Sequence, residues 1–468
     1  MTATAHTPSP RRLEVDVAIV GAGFAGLVTA RALQRAGREV VVLEARDRVG
    51  GRVCDRRLDG DGVLELGGQW LGPGQDRIAA LAREQGVGTF PTWEEGDHLL
   101  ALDGDHKRFS GTIPRIGPLR LADIAHARWR LDRLADSVPL QAPWTAPRAR
   151  ELDAETFDTW LGRTVHTRTA RRLLEVACHA VWGGQPEEMS ILFVAHYLKA
   201  AGGLDRLLDT TGGAQQDRFA GGPMLVAERV AGKLGAALRL QTPARAVRWS
   251  GDGVTVTAGP LERPTVEVRA RHVVVAVPPP LTTRIEFDPA LPAARDQLCQ
   301  RLPMGALGKC LAVYPTPFWR DDGFNGQAVD PTGPITSTFD NTPPSGAPGI
   351  LVAFSGGRHA RRMAALDQAE RRRLVVERLA SLYGPRAGRP ELYDDRFWQT
   401  EQWSGGGPTS LAGPGALSAH GPALTDPIGP IHWAGTETAD RWHGYIDGAV
   451  RSGERAARAI TTDPVNSL

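Results

Sequence analysis

The sequence predicts an α/β protein: a parallel-sheet domain of the dinucleotide-binding type, interrupted by an inserted α+β domain whose mixed sheet is flanked by helices. Three observations predict it. A β-α-β pattern opens the chain within about thirty residues. A glycine-rich turn feeds a helix near the other end, and the periodicity between them changes past residue 90.

The elements follow in order. Residues 15–20 (VDVAIV) are an apolar run ending at glycine, as a buried parallel strand does. GAGFAG then leads into LVTARALQRAG, where Leu27, Ala30 and Leu33 share a helical face and Gly37 supplies a C-cap. Residues 39–43 give a second strand ending at Glu44. Over 119–138, Leu121, Ile124, Ala127, Leu131, Leu134 and Val138 fall at helical spacing with arginines opposite. With the total charge near neutral, that reads as the solvated face of an amphipathic helix, not a membrane or nucleic-acid surface. Further helices are expected at 169–181 and 190–198, one long helix at 361–382, and a last one at 448–460. Extended segments are expected at 238–240, 254–258, 265–268 and 272–277. Residues 1–12 read as a disordered tail. The first domain takes 13–85, 213–288 and 396–468, and the inserted domain 86–212 and 289–395.

Against a prior of roughly 150 residues per domain, 468 residues allow two or three domains and a sizeable core. Lys+Arg 55 against Asp+Glu 53 leaves +2, which excludes the basic balance of a nucleic-acid binder. The four cysteines stand far apart with no C-x-x-C pair, so neither a metal site nor a disulfide framework is expected. No apolar leader opens the chain and no stretch approaches ~18 uncharged apolar residues. The expectation is therefore a soluble, cytoplasmic protein without a membrane partner. There are only four lysines, at 107, 199, 233 and 309, so a lysine inside a motif stands out.

Gly21, Gly23 and Gly26 form G-x-G-x-x-G between strand and helix, with Ala25 in the turn. The first glycine permits the tight turn, the second lets backbone approach a pyrophosphate, and the third lets helix pack on strand. The helix N-terminus then faces phosphate charge. Glu44, eighteen residues past Gly26, is placed to accept a ribose hydroxyl and would repel a 2′-phosphate, disfavouring NADP. FAD and NAD both remain open on this motif. Two later features choose FAD. Ala45-Arg46-Asp47-Arg48-Val49-Gly50-Gly51-Arg52 brings glycines and arginines to the same pyrophosphate, and no second G-x-G-x-x-G supplies another nucleotide site. The fold reading is thus a Rossmann-like FAD-binding domain, and the flavin's electrons are expected to return to dioxygen.

EARDRVGGR, ELGGQWLGP (65–73), LPMGALGKC (302–310), EQWSGGG (401–407) and WAGTETADRWHGYIDGAVRSGERAA (433–457) closely resemble the flavin-containing monoamine oxidase family. The likeness covers nearly the whole chain and is greatest to soluble bacterial members of the cyclohexylamine oxidase type. The resemblance implies an inserted substrate domain and oxidation of an amine C–N bond. A hydride equivalent passes from Cα to flavin N5, the imine hydrolyses, and dioxygen is reduced to hydrogen peroxide.

It also implies roles for single residues. Lys309 sits where the family holds a water against flavin N5, where a buried cation favours the charge that develops. Tyr445 matches one wall of the aromatic cage around the amine. Gly67, Gly68, Gln69, Trp70 and Gly435 fall in flavin-contacting motifs, and Trp398 matches an aromatic packed at the isoalloxazine. Glu437 is expected at the ribityl or phosphate region, and Val247 at adenine through its backbone. Ile446 and Ala449 begin the helix that faces the pyrimidine ring. Gly407 and Pro408 stand where the mitochondrial enzymes carry a cysteine and the second cage tyrosine, so FAD is expected to be non-covalent and the cage one-sided. Ser337 at a gating position implies a roomier entrance, with Leu208, Phe339 and Phe354 as apolar lining. His443 is read as structural.

The expected partners are a small amine and dioxygen, the expected assembly a monomer or homodimer. An L-amino-acid oxidase is the nearest alternative, weakened because Gly67-Gly68-Gln69-Trp70 carries no arginine for a substrate carboxylate. A biosynthetic flavoenzyme acting on another C–N or C–C bond, and a flavin-holding scaffold without turnover, are further alternatives on the same fold.

Overall fold

The computed structural model of the protein describes residues 10–102, 104–111 and 116–462. Strand β1 (Arg11–Val20), helix α1 (Phe24–Arg35) and strand β2 (Val40–Leu43) form the opening β-α-β unit. β1 begins earlier than the apolar run suggests. Arg11 and Arg12 pair with Val266 and Glu267, because the backbone ladder continues where the side chains have turned polar. The tail reading is corrected there; residues 1–9 lie outside the described residues.

The larger sheet has eight strands, ordered Leu238–Arg239, β2, β1, Val266–Val275, Gly253–Ala258, Ala244–Ser250, Glu286–Asp288, with Ile431–Trp433 paired to Val266–Val275. β1 runs parallel to both neighbours, and Val20 is in register with Leu43 and with Val275. Three parallel strands thus end at one level, which is where ligands sit in open α/β sheets. The two extended segments expected at 265–268 and 272–277 are one strand. Arg269 between them, though polar, pairs with Glu14 on one side and Thr255 on the other.

A second sheet of seven strands runs Leu392–Phe397, Leu307–Tyr314, Gly349–Gly356, Ser337–Asp340, Phe324–Val329, Asp97–Leu102, Asp105–Phe109. Its strand Leu307–Tyr314 is buried throughout. Alternation sends Cys310, Ala312 and Tyr314 toward a core with Met363, Val375 and Leu379. Leu307, Leu311 and Val313 pack instead on Leu64 and Leu66, and Lys309 lies on this same face. The helix expected at 361–382 is two, Gly357–Ala364 and Gln368–Tyr383. Asp367 breaks it by accepting the Glu370 N–H as N-cap of the second. The helices expected at 119–138 and 169–181 are observed as Pro118–Asp136 and Arg168–Val181. Ser190 caps Ile191–Ala201 through Phe193 N. Among the described residues no helix is long and apolar enough to cross a membrane.

Candidate active site

A cavity of about 270 Å³ opens at the level where the parallel strands end. Its wall gathers Gly21, Gly23 and Ala25 from the first turn and Glu44, Ala45 and Arg46 from the end of β2. Gly51, Arg52, Gly67, Gly68, Gln69 and Trp70 follow from the next loops. Lys309, Phe354, Trp398, Pro408, Gly435, Tyr445, Ile446 and Ala449 come from the second sheet and the C-terminal motifs.

The local geometry suits a dinucleotide. Gly21 has φ +101, and a Cβ on Gly26 would fall 1.9 Å from the Gly21 carbonyl oxygen, so Gly26 is a packing residue and does not reach the wall. Glu44 is buried and held by two amides: Ala22 N–H donates to one carboxylate oxygen at 2.7 Å and Arg46 N–H to the other at 2.9 Å. A carboxylate accepts about four hydrogen bonds, so it keeps capacity for a diol. α1 and the helix Ile446–Thr461 both begin without a side-chain cap, leaving N–H groups for a ligand. Arg52 lines the cavity and donates to the Pro408 carbonyl at 2.8 Å and to Glu437. Arg48, by contrast, spends one nitrogen on the carbonyls of Val49, Gly51 and Val53, and shapes the loop. These features fit FAD.

Lys309 is buried and donates to the Gly67 carbonyl at 2.9 Å and to Gln69 Oε1. Its nitrogen lies 5.3 Å from the Phe354 ring centre and 5.8 Å from that of Trp70. Burial pulls the ammonium down to about 7, partly opposed by Glu65 and Asp55 and helped by Arg218. Trp70 stacks on Phe354 at 5.6 Å and meets Phe339 edge-on at 5.0 Å. Tyr445 meets Trp442 edge-on at 5.1 Å and Tyr197 at 6.4 Å, and burial raises its phenol above the ordinary range.

Five expectations need correction. Glu437 is bonded to Arg52 and does not line the cavity; its reach to a cofactor is through that arginine. Val247 packs in the sheet core against Val256 and Phe287, and Pro243 and Ala244 reach the wall instead. Three residues along a strand are about 10 Å, enough to leave the site. Phe339 stands behind Trp70 and Phe354, outside the wall. Ser337 pairs with Phe354 in the sheet, outside the wall, with its buried hydroxyl lacking a partner. Leu208 is 40% exposed and also outside the wall. Sequence reasoning missed Tyr197, Arg284 and Trp403, which the wall includes. Tyr197 carried a signal: Gly444 has no room for a Cβ because the Tyr197 hydroxyl would lie 2.3 Å from it.

The cradle and fold together define a flavoprotein oxidoreductase. The model of the flavin containing amine oxidoreductase family matches residues 24–461, and the chain belongs to that family. It is 45% identical over 446 residues to a Mycobacterium tuberculosis protein, AofH, classed by name among the flavin-containing monoamine oxidases, covering 95% of this chain and 96% of that one. It is 36% identical over 450 residues to the flavin-containing amine oxidase A of Sus scrofa, covering 95% and 85%. Among solved structures, cyclohexylamine oxidase from Brevibacterium oxydans IH-35A is similar with TM-score 0.91 and 34% identity, over 96% of this chain and 99% of that one. A putrescine oxidase with putrescine bound is similar with TM-score 0.91 and 35% identity, over the same shares. The protein is an FAD-dependent amine oxidoreductase. No cysteine lines the cavity among the described residues.

Proposed function

We propose that the substrate is an apolar monoamine, oxidised with dioxygen as acceptor and hydrogen peroxide as product. FAD bound in the cavity would supply the redox chemistry, a two-electron acceptor for the hydrogen on the substrate carbon next to nitrogen that returns its electrons to dioxygen. The observation that carries the substrate class is the charge inventory of the wall. Among the described residues its single carboxylate is Glu44, at the end of β2, whose remaining capacity goes to the diol of the dinucleotide, so no acid is free to hold the distal ammonium of a diamine. Its arginines are engaged as well: Arg46 with Glu401 and Ser404, Arg52 with Glu437, Arg284 with the Gln402 carbonyl. Arg46 and Arg52 serve the dinucleotide and Arg284 is paired at the exposed rim, which weighs against the L-amino-acid oxidase alternative. Trp70, Phe354 and Tyr197 offer the apolar surface a hydrocarbon group needs.

In this reading Lys309 holds a water through its third N–H and supplies positive charge beside the reacting ring. Tyr445 and Pro408 flank the amine, Tyr445 as the aromatic wall that orients it. Glu44, Arg46 and Arg52 with the two helix N-termini hold the dinucleotide. Four buried, unbridged cysteines support a reducing, cytoplasmic setting, and the assembly is read as monomer or homodimer. The domain boundaries are carried forward as proposed from the sequence.

The test is peroxide release by the purified yellow protein across monoamines, diamines and amino acids. Peroxide from apolar monoamines in preference to the other two classes supports the assignment. A preference for diamines or amino acids overturns the substrate class.

A further inference from the structure

Behind Lys309 lies a chain of buried polar side chains that the oxidation itself does not use. Gln69 accepts from Lys309 through Oε1, and its Nε2 donates to Asn341 Oδ1 at 2.7 Å. Asn341 Nδ2 in turn donates to Glu65 Oε2 at 2.7 Å. Glu65 takes a two-pronged bond from Arg218, at 2.8 Å and 2.9 Å, and Arg218 also donates to the Thr342 carbonyl at 3.0 Å. All five residues are at most 2% exposed. They come from four distant stretches: the ELGGQW loop, the strand Asp217–Phe219, the strand Leu307–Tyr314 and the residues after Ser337–Asp340.

The direction of every bond in this chain follows from one residue. A carboxylate only accepts, so Asn341 must turn its NH₂ to Glu65 and its oxygen to Gln69. Gln69 must then give its NH₂ to Asn341, which leaves its oxygen, and only its oxygen, for the lysine. We propose that Glu65 is a positioning residue for Lys309: through Asn341 and Gln69 it fixes an acceptor opposite the ammonium, and it supplies the negative charge that offsets Lys309 and Arg218. The titratable groups acting on Lys309 are Glu65, Asp55 and Arg218. Asp55 is pushed up to about 8 by burial and by Glu65, so near neutral pH it carries its proton. Glu65 is then the carboxylate, among the described residues, that faces both Arg218 and, through the relay, Lys309.

This inference rests on the reading of Lys309 as the residue beside the flavin, and its test is separable from that reading. With four lysines in the chain, carbon-13-labelled lysine gives four signals in the holoenzyme, and Lys309→Met identifies the one that matters. In the wild type that signal should titrate at about 7. Glu65→Gln should move its midpoint down by about one unit or more, since it removes the opposing charge. Glu65→Asp should restore it. An unchanged midpoint in Glu65→Gln protein that still binds flavin overturns the proposal. Should Glu65→Gln fail to fold, Asn341→Ala cuts the relay and leaves the Glu65–Arg218 pair intact. There the Lys309 signal should broaden, and photoreduced flavin should reoxidise several-fold more slowly. An unchanged signal and rate in Asn341→Ala would equally overturn it. A shifted signal with unaltered reoxidation would uphold the relay and instead sink the role of Lys309 in oxygen chemistry.

Discussion

Arg52 and Glu437, 385 positions apart, form an ion pair in which the carboxylate is buried and the guanidinium borders the flavin cavity. The pair ties the EARDRVGGR loop to the C-terminal motif, so the two ends of the sequence close around one ligand. Burial would raise Glu437, but Arg52 more than compensates and holds it below the usual carboxylate range. Removing the acid leaves a cation without its partner, a loss of about 3–5 kcal/mol where such a pair is fully buried and less where, as here, the arginine is partly exposed. Glu437→Gln should therefore lower the denaturation midpoint and weaken FAD retention together. Unchanged flavin content after gel filtration would contradict the linkage.

The absence of a thiol in the cavity wall has a direct consequence. Acid precipitation should release the flavin into the supernatant. Yellow colour left in the pellet would contradict the non-covalent assignment.

Lys309 should matter more to oxygen than to FAD binding. Lys309→Met should retain flavin and slow reoxidation about tenfold or more, the scale of one preorganised charge. In the wild type, the cation is present below about 7 and lost above it. The reoxidation rate constant should therefore fall as pH rises through that value. A flat profile with a silent Lys309→Met would remove the role.

Stability should depend on buried neutral imidazoles. His443 is pulled down to about 3 and His179 to about 4, chiefly by burial, and neither His443 nitrogen has a partner among the described residues. Unfolded histidine binds its proton near 6.5. Between that pH and the folded values the unfolded state holds more protons, so stability rises with pH and is lost as pH falls below about 6.5. His443→Ser should reduce the slope of unfolding free energy between pH 6 and 5 by up to ~1.4 kcal/mol per unit. Equal slopes in the two proteins would refute this.

What the sequence showed depended on distance along the chain. The G-x-G-x-x-G turn and Glu44 are local patterns with one physical solution, and their geometry was readable in advance. Glu437 was misplaced because its partner Arg52 lies in a remote loop. Val247 missed the site by the three residues that separate it from Ala244 along one strand. The break at Asp367 was hidden because its cap depends on a single side chain inside a long helical pattern. Tyr197 left only an indirect trace, the glycine at 444 that makes room for its hydroxyl, and the relay from Glu65 to Lys309 has no signature in sequence. The relay exists only once four segments meet.

The central claim concerns the reduction of the flavin by an apolar monoamine. Anaerobic mixing of the holoenzyme with cyclic and arylalkyl monoamines should bleach the flavin in a single turnover, and diamines or amino acids of similar size should do so far more slowly. Bleaching confined to diamines or amino acids, or no bleaching by any amine, would contradict it.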